Sequence, residues 1–434
     1  GLRIYLKKHQ YGNTNTVDLW SALEEVSGTE IKDFMHSWTS QTGFPLVAVK
    51  VEENTAELKQ QRFLLNPKAE LKASETWPVP LLTTASDRGL FANSSKKFKL
   101  KDADNFKLNL GQSGLYRASY NASHLQKIAK QINKLEPVDR LGLISDAFET
   151  SKSGLASIVS ALELIANYEN EDSPIVWDII SGNLSAIRRV MDDEKLNDAL
   201  RPFARELTKK QLARLGWQKI KNEDHFDSLL RPTILGLSAW ADEPATVKKA
   251  LELFNKAGRP EDIEPDLRGV VYGTAARLGS KKEFDKMLAQ HNTSNSSEAR
   301  LALTAALTGF KQADLVKKAL AQVTSDNVRL QDAAYWVAYS LGNRHGKKLA
   351  WQWIKDNWDW LAKNLGDDLS FYRFPVYAAR SFATSDFLKD YEKFFTDKKT
   401  PALERPINQG IETIQWQTAW RTRDHAAIKK YFKA

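Results

Sequence analysis

The first part of the chain carries its apolar residues at the spacing of an amphipathic helix. These residues are Leu19, Leu23, Val26, Ile31, Phe34, Met35 and Trp38. Separations of mostly three or four positions put them on one helical face, and a Gly-Phe-Pro sequence at 43–45 ends the pattern. Residues 1–45 are therefore predicted to form two or three amphipathic helices. Because so short a segment cannot bury its own apolar faces, we expect part of its packing partner to lie upstream of Gly1.

Alternation of apolar and polar residues replaces the helical pattern after Pro45. Alternating or short apolar runs occupy residues 47–52, 62–65, 77–82, 98–101 and 106–110. Several such segments separated by turn residues are typical of a small antiparallel β-sandwich. We expect this domain to span residues 46–119, with 108–117 as its last strand. Asn121 or Ser123 is then expected to cap the helix that follows.

From residue 123 onward the apolar residues recur with a helical period almost to the end of the chain. The predicted breaks between helices fall at 134–137, 170–174, 258–265, 292–297, 341–345, 365–368 and 398–406. Paired helices at intervals of about 35 to 45 residues are typical of HEAT-like or armadillo-like arrays, in which each pair packs on its neighbours. We therefore expect residues 120–434 to form one α-helical superhelix with a concave face. The predicted fold class is mainly α with a small all-β domain.

Composition and charge mainly exclude certain classes of site and of binding partner. The chain has 434 residues, of which 42% are hydrophobic and 13 are Trp, so it is expected to fold into two or three domains. The absence of cysteine excludes disulfides, thiolate metal sites and a cysteine nucleophile, and it favours a cytoplasmic location. The net charge of +9 comes from 63 scattered cations and 54 anions, which indicates a solvated surface and no nucleic-acid partner. No apolar run reaches the roughly 18 residues of a membrane span, so no membrane partner is expected.

The sequence contains no recognisable catalytic constellation. Its seven histidines are His9, His36, His124, His225, His291, His345 and His425. No two of them are four residues apart, so the metalloprotease motif His-Glu-x-x-His, which puts two imidazoles on one helical face, is absent. Neither a Gly-x-Ser-x-Gly elbow nor a phosphate-binding glycine-rich loop occurs. We expect the chain alone to hydrolyse no substrate and to bind no metal.

Short stretches spread in order over the whole chain nevertheless carry a family resemblance. They are 5–13 (Tyr-Leu-Lys-Lys-His-Gln-Tyr-Gly-Asn), 16–20, 38–45, 114–117 (Gly-Leu-Tyr-Arg), 138–143 with Asp146, 345–348 with Trp351, 355–358, and Trp416 with Trp420. These stretches resemble the C-terminal portion of the zinc aminopeptidases of the aminopeptidase N and puromycin-sensitive aminopeptidase family. The resemblance does not extend to the catalytic motifs, since the family's Gly-x-Met-Glu-Asn motif for the free amino terminus is also missing.

The resemblance implies an order of domains and a function. Residues 1–45 would be the last helices of a thermolysin-like catalytic domain, 46–119 the β-sandwich, and 120–434 the superhelix. The full-length protein would use zinc, bound outside this chain, to remove N-terminal residues from peptides. This chain would pack on the catalytic and N-terminal domains, and it would shape and gate the substrate chamber. The alternative is a HEAT-like scaffold that binds a protein or peptide and has no catalytic activity.

One pair of residues is implied as substrate-binding. The stretch 366–373 (Gly-Asp-Asp-Leu-Ser-Phe-Tyr-Arg) resembles the family's glycine-rich turn and Ser-x-Arg-like element, whose arginine points toward the active site. The resemblance therefore implies Arg373, with Tyr372 beside it, as residues that face the substrate. A planar guanidinium can bind a peptide carbonyl or carboxylate through two donors. A buried ion pair or a plain surface charge is the alternative role for Arg373.

The other motif residues are expected to have structural roles. Tyr116 and Arg117 are predicted to pack between domains, Asp139 to cap a helix, and Arg140 to pair with Asp146 across adjacent turns. The tryptophans of the 351–360 stretch fall partly at helical spacing and are predicted to line the core and a groove. They are Trp351, Trp353, Trp358 and Trp360.

Overall fold

The structure is a computed structural model in which residues 1–66, 76–85 and 89–434 are described. Helices make up 65% of it, and the strands form small sheets, so the prediction of a mainly α protein with a small β part is confirmed. The chain divides into two compact units. The first consists of Gly1–Thr150 and Leu155–Ser160, and the second of Ser151–Gly154 and Ala161–Ala434. The domain boundaries expected at residues 45 and 119 stay a prediction.

Three short helices open the first unit, as the apolar spacing predicts. They are α1 Leu2–Lys8, α2 Thr16–Ser27 and α3 Ile31–Ser40. Helix α2 begins at a capping box in which the Asn15 side chain accepts from the helix backbone and Asp18 accepts from the backbone of Asn15. It ends at Gly28, whose φ of 66° requires a residue that tolerates the left-handed region. These local signals fix the helix ends without help from the core.

The strands of the first unit form a mixed sheet and a two-stranded ribbon. They are β1 Pro45–Glu52, β2 Thr55–Arg62, β3 Val79–Pro80, β4 Leu90–Phe91, β5 Ser95–Lys99 and β6 Arg117–Tyr120. The four-stranded sheet has the order β5-β2-β1-β6, and β3 pairs with β4. Strand β6 runs parallel to β1, with Leu46 opposite Arg117, so the prediction of a wholly antiparallel arrangement is wrong. The long connection from β1 to β6 allows the parallel pairing that a hairpin forbids.

Three strand predictions are also wrong. The run at 62–65 overlaps β2 only at Arg62, and at 106–110 and 108–117 hydrogen bonds to side chains replace strand pairing. Leu108 forms only an isolated bridge with Thr83, and its amide donates to the Tyr120 hydroxyl at 2.8 Å. Residues 108–117 contain a 3-10 turn, Leu110–Gln112, in which Gly111 has a φ of 68°, so the last strand starts only at Arg117. Strand β2 was not predicted, because its inward residues include the polar but buried Gln60.

The helices that follow the sheet are joined to it by buried ion pairs. Helix α4 spans Ala122–Ala129 after the N-cap residue Asn121, and helix α5 spans Pro137–Lys152. The Asp139 carboxylate accepts from Lys107 Nζ at 2.7 Å and from the Gly111 amide at 3.0 Å, so it does not cap its own helix as predicted. The predicted pairing of Arg140 with Asp146 is wrong as well, because Asp146 pairs with Arg117 at 3.0 Å. That contact lies within the first unit, so the packing of Arg117 between domains stays a prediction.

The second unit contains the remaining helices, apart from the first turn of α6. The helices are α6 Ile158–Ile165, α7 Pro174–Met191, α8 Glu194–Leu215, α9 His225–Trp240, α10 Pro244–Lys256, α11 Arg268–Leu278, α12 Lys281–Thr293, α13 Ser297–Leu307, α14 Ala313–Gln322, α15 Ala333–Gly342, α16 Lys347–Asp356, α17 Trp358–Leu365, α18 Phe374–Ser381, α19 Ser385–Phe395 and α20 Pro401–Phe432. Predicted breaks at 258–265, 292–297 and 341–345 are confirmed. The break at 398–406 is too long, because α20 begins at Pro401 and includes Pro406.

These helices pack as two rows. In one row α7, α9, α11, α13, α15, α18 and α20 contact each other in succession, and α20 also contacts α7 and α8. Helices α8, α10, α12, α14 and α19 each pack on a member of that row. Trp336 and Trp420 are fully buried. Of the tryptophans at 351–360, Trp351 and Trp358 are buried and Trp353 and Trp360 are partly buried against the core, so the predicted core role is confirmed for the first two, and the groove role stays a prediction. No described helix is both long and apolar enough to cross a membrane.

Candidate functional site: a tyrosine and arginine surface

The two residues implied as substrate-binding lie on the 3-10 turn Phe371–Arg373, which leads directly into α18. Phe371 anchors the turn, because it is buried and its ring centroid lies 5.0 Å from that of Trp358. Tyr372 is half-buried, and its hydroxyl donates to the Gly366 carbonyl at 3.0 Å. Arg373 is exposed. The turn therefore fixes the backbone of Arg373 while its side chain stays in contact with solvent.

The Arg373 guanidinium has no partner among the described residues. Neither a salt bridge nor a hydrogen bond joins it to residues 1–66, 76–85 or 89–434. The Asp368 carboxylate lies just before this turn, where the Ser370 amide and hydroxyl lower its pKa most and the positive charge of Arg373 contributes less. The buried ion pair considered for Arg373 is therefore not formed within the described chain.

Further aromatic and basic side chains share this face. Tyr377 and Arg380 follow Arg373 at the fourth and seventh positions, so all three lie on one side of α18. On the neighbouring α15, the ring centroids of Tyr335 and Tyr339 are 6.0 Å apart. Burial, and then the nearby Tyr335 and Tyr377, raise the pKa of Tyr339, so the three tyrosines lie close together.

We call these five residues the Tyr/Arg surface: Tyr335, Tyr339, Arg373, Tyr377 and Arg380. It continues to α7, where burial and the charge of Arg380 lower the pKa of Arg189. Tyrosine rings offer flat area with a polar edge, and guanidinium groups offer paired donors for carbonyl or carboxylate oxygens. Such a surface suits an extended polar chain such as a peptide.

Of the Tyr/Arg surface, the sequence analysis implied only Arg373 and missed the other four residues. The signal was present in the spacing of Tyr335 with Tyr339, and of Arg373 with Tyr377 and Arg380. However, Tyr335 is 45% exposed while its neighbour Trp336 is fully buried, and both lie in one aromatic and apolar run. The sequence does not show which face of that run meets solvent, since both faces carry large apolar side chains.

The second basic stretch of the resemblance, 345–348, has a structural role in the second unit. Lys347 is buried, and its Nζ lies 2.8 Å from the Asp192 carboxylate and donates to the Ser381 carbonyl at 3.0 Å. Burial lowers the pKa of Lys347, while Asp192 opposes that effect. The lysine thus ties the end of α7 to the end of α18 and is not available to a ligand.

A zinc ion does not fit the residues present. In the described part of the chain, no three His, Asp or Glu side chains come together in a way that could hold a metal ion. The histidines have other contacts: His425 Nε2 lies 2.9 Å from Asp193, and the His291 ring packs at 5.2 Å from Trp336. We assign no zinc ligand to these residues.

Two families of known proteins match this chain, one at its short N-terminal helical segment and the other over its long C-terminal helical region. The family described as "ERAP1-like C-terminal domain" matches residues 105–415, and the family described as "Peptidase family M1 domain" matches residues 1–38. The chain belongs to the ERAP1-like C-terminal domain family of M1 peptidases. The M1 match covers α1, α2 and most of α3, and the ERAP1-like match includes the whole Tyr/Arg surface.

Individual M1 relatives resemble the chain along its whole length. It is 30% identical to Aminopeptidase 2, mitochondrial, of Saccharomyces cerevisiae over 100% of the chain and 47% of the relative. It is also 30% identical to the Alanine/arginine aminopeptidase of the same yeast and to Aminopeptidase N of Lactococcus lactis, in both cases over 100% of the chain and 52% of the relative. The chain therefore spans about half the length of the relatives it matches.

Proposed function

We propose that this chain is the C-terminal region of a zinc-dependent aminopeptidase that removes N-terminal residues from peptides. The observation that carries the proposal is the match over the whole chain to relatives that are named aminopeptidases. The match of residues 1–38 to the M1 peptidase domain adds support, because a binding scaffold has no need for that segment. The zinc ligands and the general base would belong to a part of the enzyme outside these residues.

We propose that the helical region forms a HEAT-like superhelix that bounds and gates the substrate chamber. The row of successively packed helices, with a second set of helices packed on it, supports this proposal, since helices in such an array bury one face on their neighbours. In this superhelix, Arg373 would bind a carbonyl or carboxylate of the peptide substrate. Tyr377 and Tyr339 would contact the peptide beside that group. The exposed guanidinium, which has no partner in the described chain, supports that role. Tyr372 would act mainly by holding the turn through its bond to Gly366.

We also propose that α1–α3 pack on the rest of the catalytic domain and on the N-terminal domain. Four large apolar side chains of α1 and α2 are more than half exposed in this chain, namely Leu2, Leu6, Val17 and Val26. Several large apolar side chains exposed on adjacent helices are costly in water and are typical of an interface. The absence of cysteine supports a cytoplasmic location for the enzyme.

The experiment is an assay of two proteins with an aminoacyl chromogenic substrate. One is the product of the complete open reading frame, and the other is the 434-residue chain. We expect only the complete product to release the chromophore, and we expect a chelator to abolish that release until zinc is restored. Lack of activity in both proteins would favour the scaffold alternative. Equal cleavage of folded proteins and short peptides by the complete product would contradict the gating role.

A further inference from the structure

A cavity in the second unit lies among the segment that follows α8, the helices α9 and α10, and the connection from α10 to α11. Its volume is about 360 Å³. That is within the range of small-molecule sites, and it corresponds to roughly 12 non-hydrogen atoms if each takes the volume of one water molecule. The cavity is therefore large enough for a molecule with one aromatic ring.

The interior wall of the cavity is apolar and partly aromatic. It is formed by Trp217, Pro232, Leu253, Ile263 and Leu267. Ile263 and Leu267 are buried, and Leu253 and Trp217 pack against the hydrophobic core while part of each remains open to the cavity. A flat apolar group placed against the Trp217 ring would remove this surface from water.

One side of the cavity offers hydrogen-bond acceptors. Asp262, Glu264 and Asp266 line it on the side of the α10–α11 connection. Pro232 has no amide hydrogen, so the carbonyl of Ser228, another lining residue, lacks the donor that a helix normally supplies four residues later. A ligand that donates hydrogen bonds therefore finds several oxygens in reach.

The lining cations are largely committed to other partners. Arg231 is buried against Glu223, with Nη1 2.8 Å from Oε1, and its Nε and Nη2 donate to the Leu215 carbonyl, where α8 ends. Lys249 lies 3.7 Å from Glu252. Lys219 lies 3.4 Å from Asp266 and 3.8 Å from Glu264, so one lysine faces two carboxylates. Beside Lys219, Glu264 and Asp266 therefore carry two negative charges against one positive charge.

From this combination we propose that the cavity binds a small molecule with an apolar, preferably aromatic, body and one ammonium group. The ring lies between Trp217 and Leu253, and the ammonium group lies at the rim near Glu264 and Asp266. This binding site is independent of the proposed peptidase activity, because it needs neither zinc nor residues outside this chain. Its occupancy is therefore measurable on the chain alone and separately from catalysis.

The test is calorimetric titration of the chain with three probes: 2-phenylethylamine, 3-phenylpropanoate and benzyl alcohol. We expect 2-phenylethylamine to bind with a Kd of about 1 mM, which is ordinary for a ligand of this size. We expect the carboxylate to bind at least tenfold more weakly, and the neutral alcohol to fall between them. Equal binding of all three probes, or no binding of the amine at several times that concentration, would overturn the proposal.

Three variants locate the binding. Leu253→Trp fills the cavity and should abolish binding of the amine, whereas Lys248→Trp, at an exposed position on the same helix outside the lining, should leave it unchanged. The double variant Glu264→Gln/Asp266→Asn alters only exposed side chains and should weaken the amine about tenfold while leaving the alcohol within twofold. Unchanged binding of the amine by the double variant would refute the role of the carboxylates even if Leu253→Trp were misfolded.

Discussion

Arg117 Nη1 lies 3.0 Å from Asp146 Oδ1, and this ion pair joins the last strand of the sheet to helix α5. The second carboxylate oxygen of Asp146 accepts from the Ala118 amide at 2.9 Å. Arg117 also lies over the Phe63 ring, with Cζ 5.1 Å from its centroid. Burial of Asp146 raises its pKa to about 6, although the Ala118 amide and Arg117 both oppose that shift. The pair is thus a buried charge contact that depends on both members.

Replacing Arg117 should therefore destabilise the first unit in a pH-dependent way. In Arg117→Ala, Asp146 keeps a buried negative charge at pH 8 without its partner, which should lower the free energy of unfolding by about 3 kcal/mol. The loss should be smaller at pH 5, because Asp146 is then largely protonated in the folded protein. Urea unfolding at pH 8 and at pH 5 measures the loss in the free energy of unfolding at each pH. Lys127→Ala breaks an exposed pair of similar length, 2.7 Å to Asp104, and should cost less than about 1 kcal/mol.

The two motif stretches that form this contact were visible in the sequence, but their pairing was not. Arg140 is six residues from Asp146 and looked like its partner, whereas Arg117 lies 29 residues away on a strand. Local spacing identifies neighbours on one helix only, and the partner of Asp146 depends on how the sheet meets α5. The parallel pairing of β6 with β1 sets that geometry, and it too depends on contacts distant in the sequence.

Gly410 should tolerate no side chain. It lies inside α20, and a Cβ atom there would overlap the Tyr391 hydroxyl and lie 3.3 Å from the Ala379 Cβ. Tyr391 is fully buried and cannot move aside. We expect Gly410→Ala to lower the free energy of unfolding by about 2 kcal/mol, measured by thermal or urea unfolding. The control is Gly182→Ala in α7, which meets no atom within 4 Å and should raise stability by up to about 1 kcal/mol. Equal effects of the two substitutions would contradict the close approach of α19 to α20.

Asp193 should stabilise the second unit above pH 4 and lose this effect in acid. Burial disfavours its charge, but the Leu196 amide, Lys429 and His425 outweigh that cost and lower its pKa from 3.8 to about 2. A folded-state pKa below the unfolded value gives stability that is complete above the unfolded pKa and disappears as the pH falls through the folded one. The stability difference between the wild-type chain and Asp193→Asn should therefore shrink by about 1 kcal/mol from pH 6 to pH 3. A difference that stays constant with pH would show that the carboxylate charge is not involved.

The site was less predictable from sequence than the fold. Helical periodicity predicted most helices of the second unit, because each buries one apolar face. The Tyr/Arg surface depends instead on which face of α15 and α18 remains free after packing, as the contrast between exposed Tyr335 and buried Trp336 illustrates. The cavity beside Trp217 could not be predicted at all, since it is bounded by residues from four separate segments.

The central claim is that this chain contacts peptide substrate through the Tyr/Arg surface, and the most direct measurement is the kinetics of Arg373→Ala in the complete protein. The control is Lys317→Ala, which removes an exposed positive charge from α14. For an extended peptide we expect Arg373→Ala to raise KM about tenfold, as loss of one charged hydrogen bond should. For a single aminoacyl chromogenic substrate, which offers no extended peptide chain for Arg373 to bind, kcat/KM should stay within twofold. Unchanged KM for the peptide, or an equal loss for both substrates, would contradict the claim.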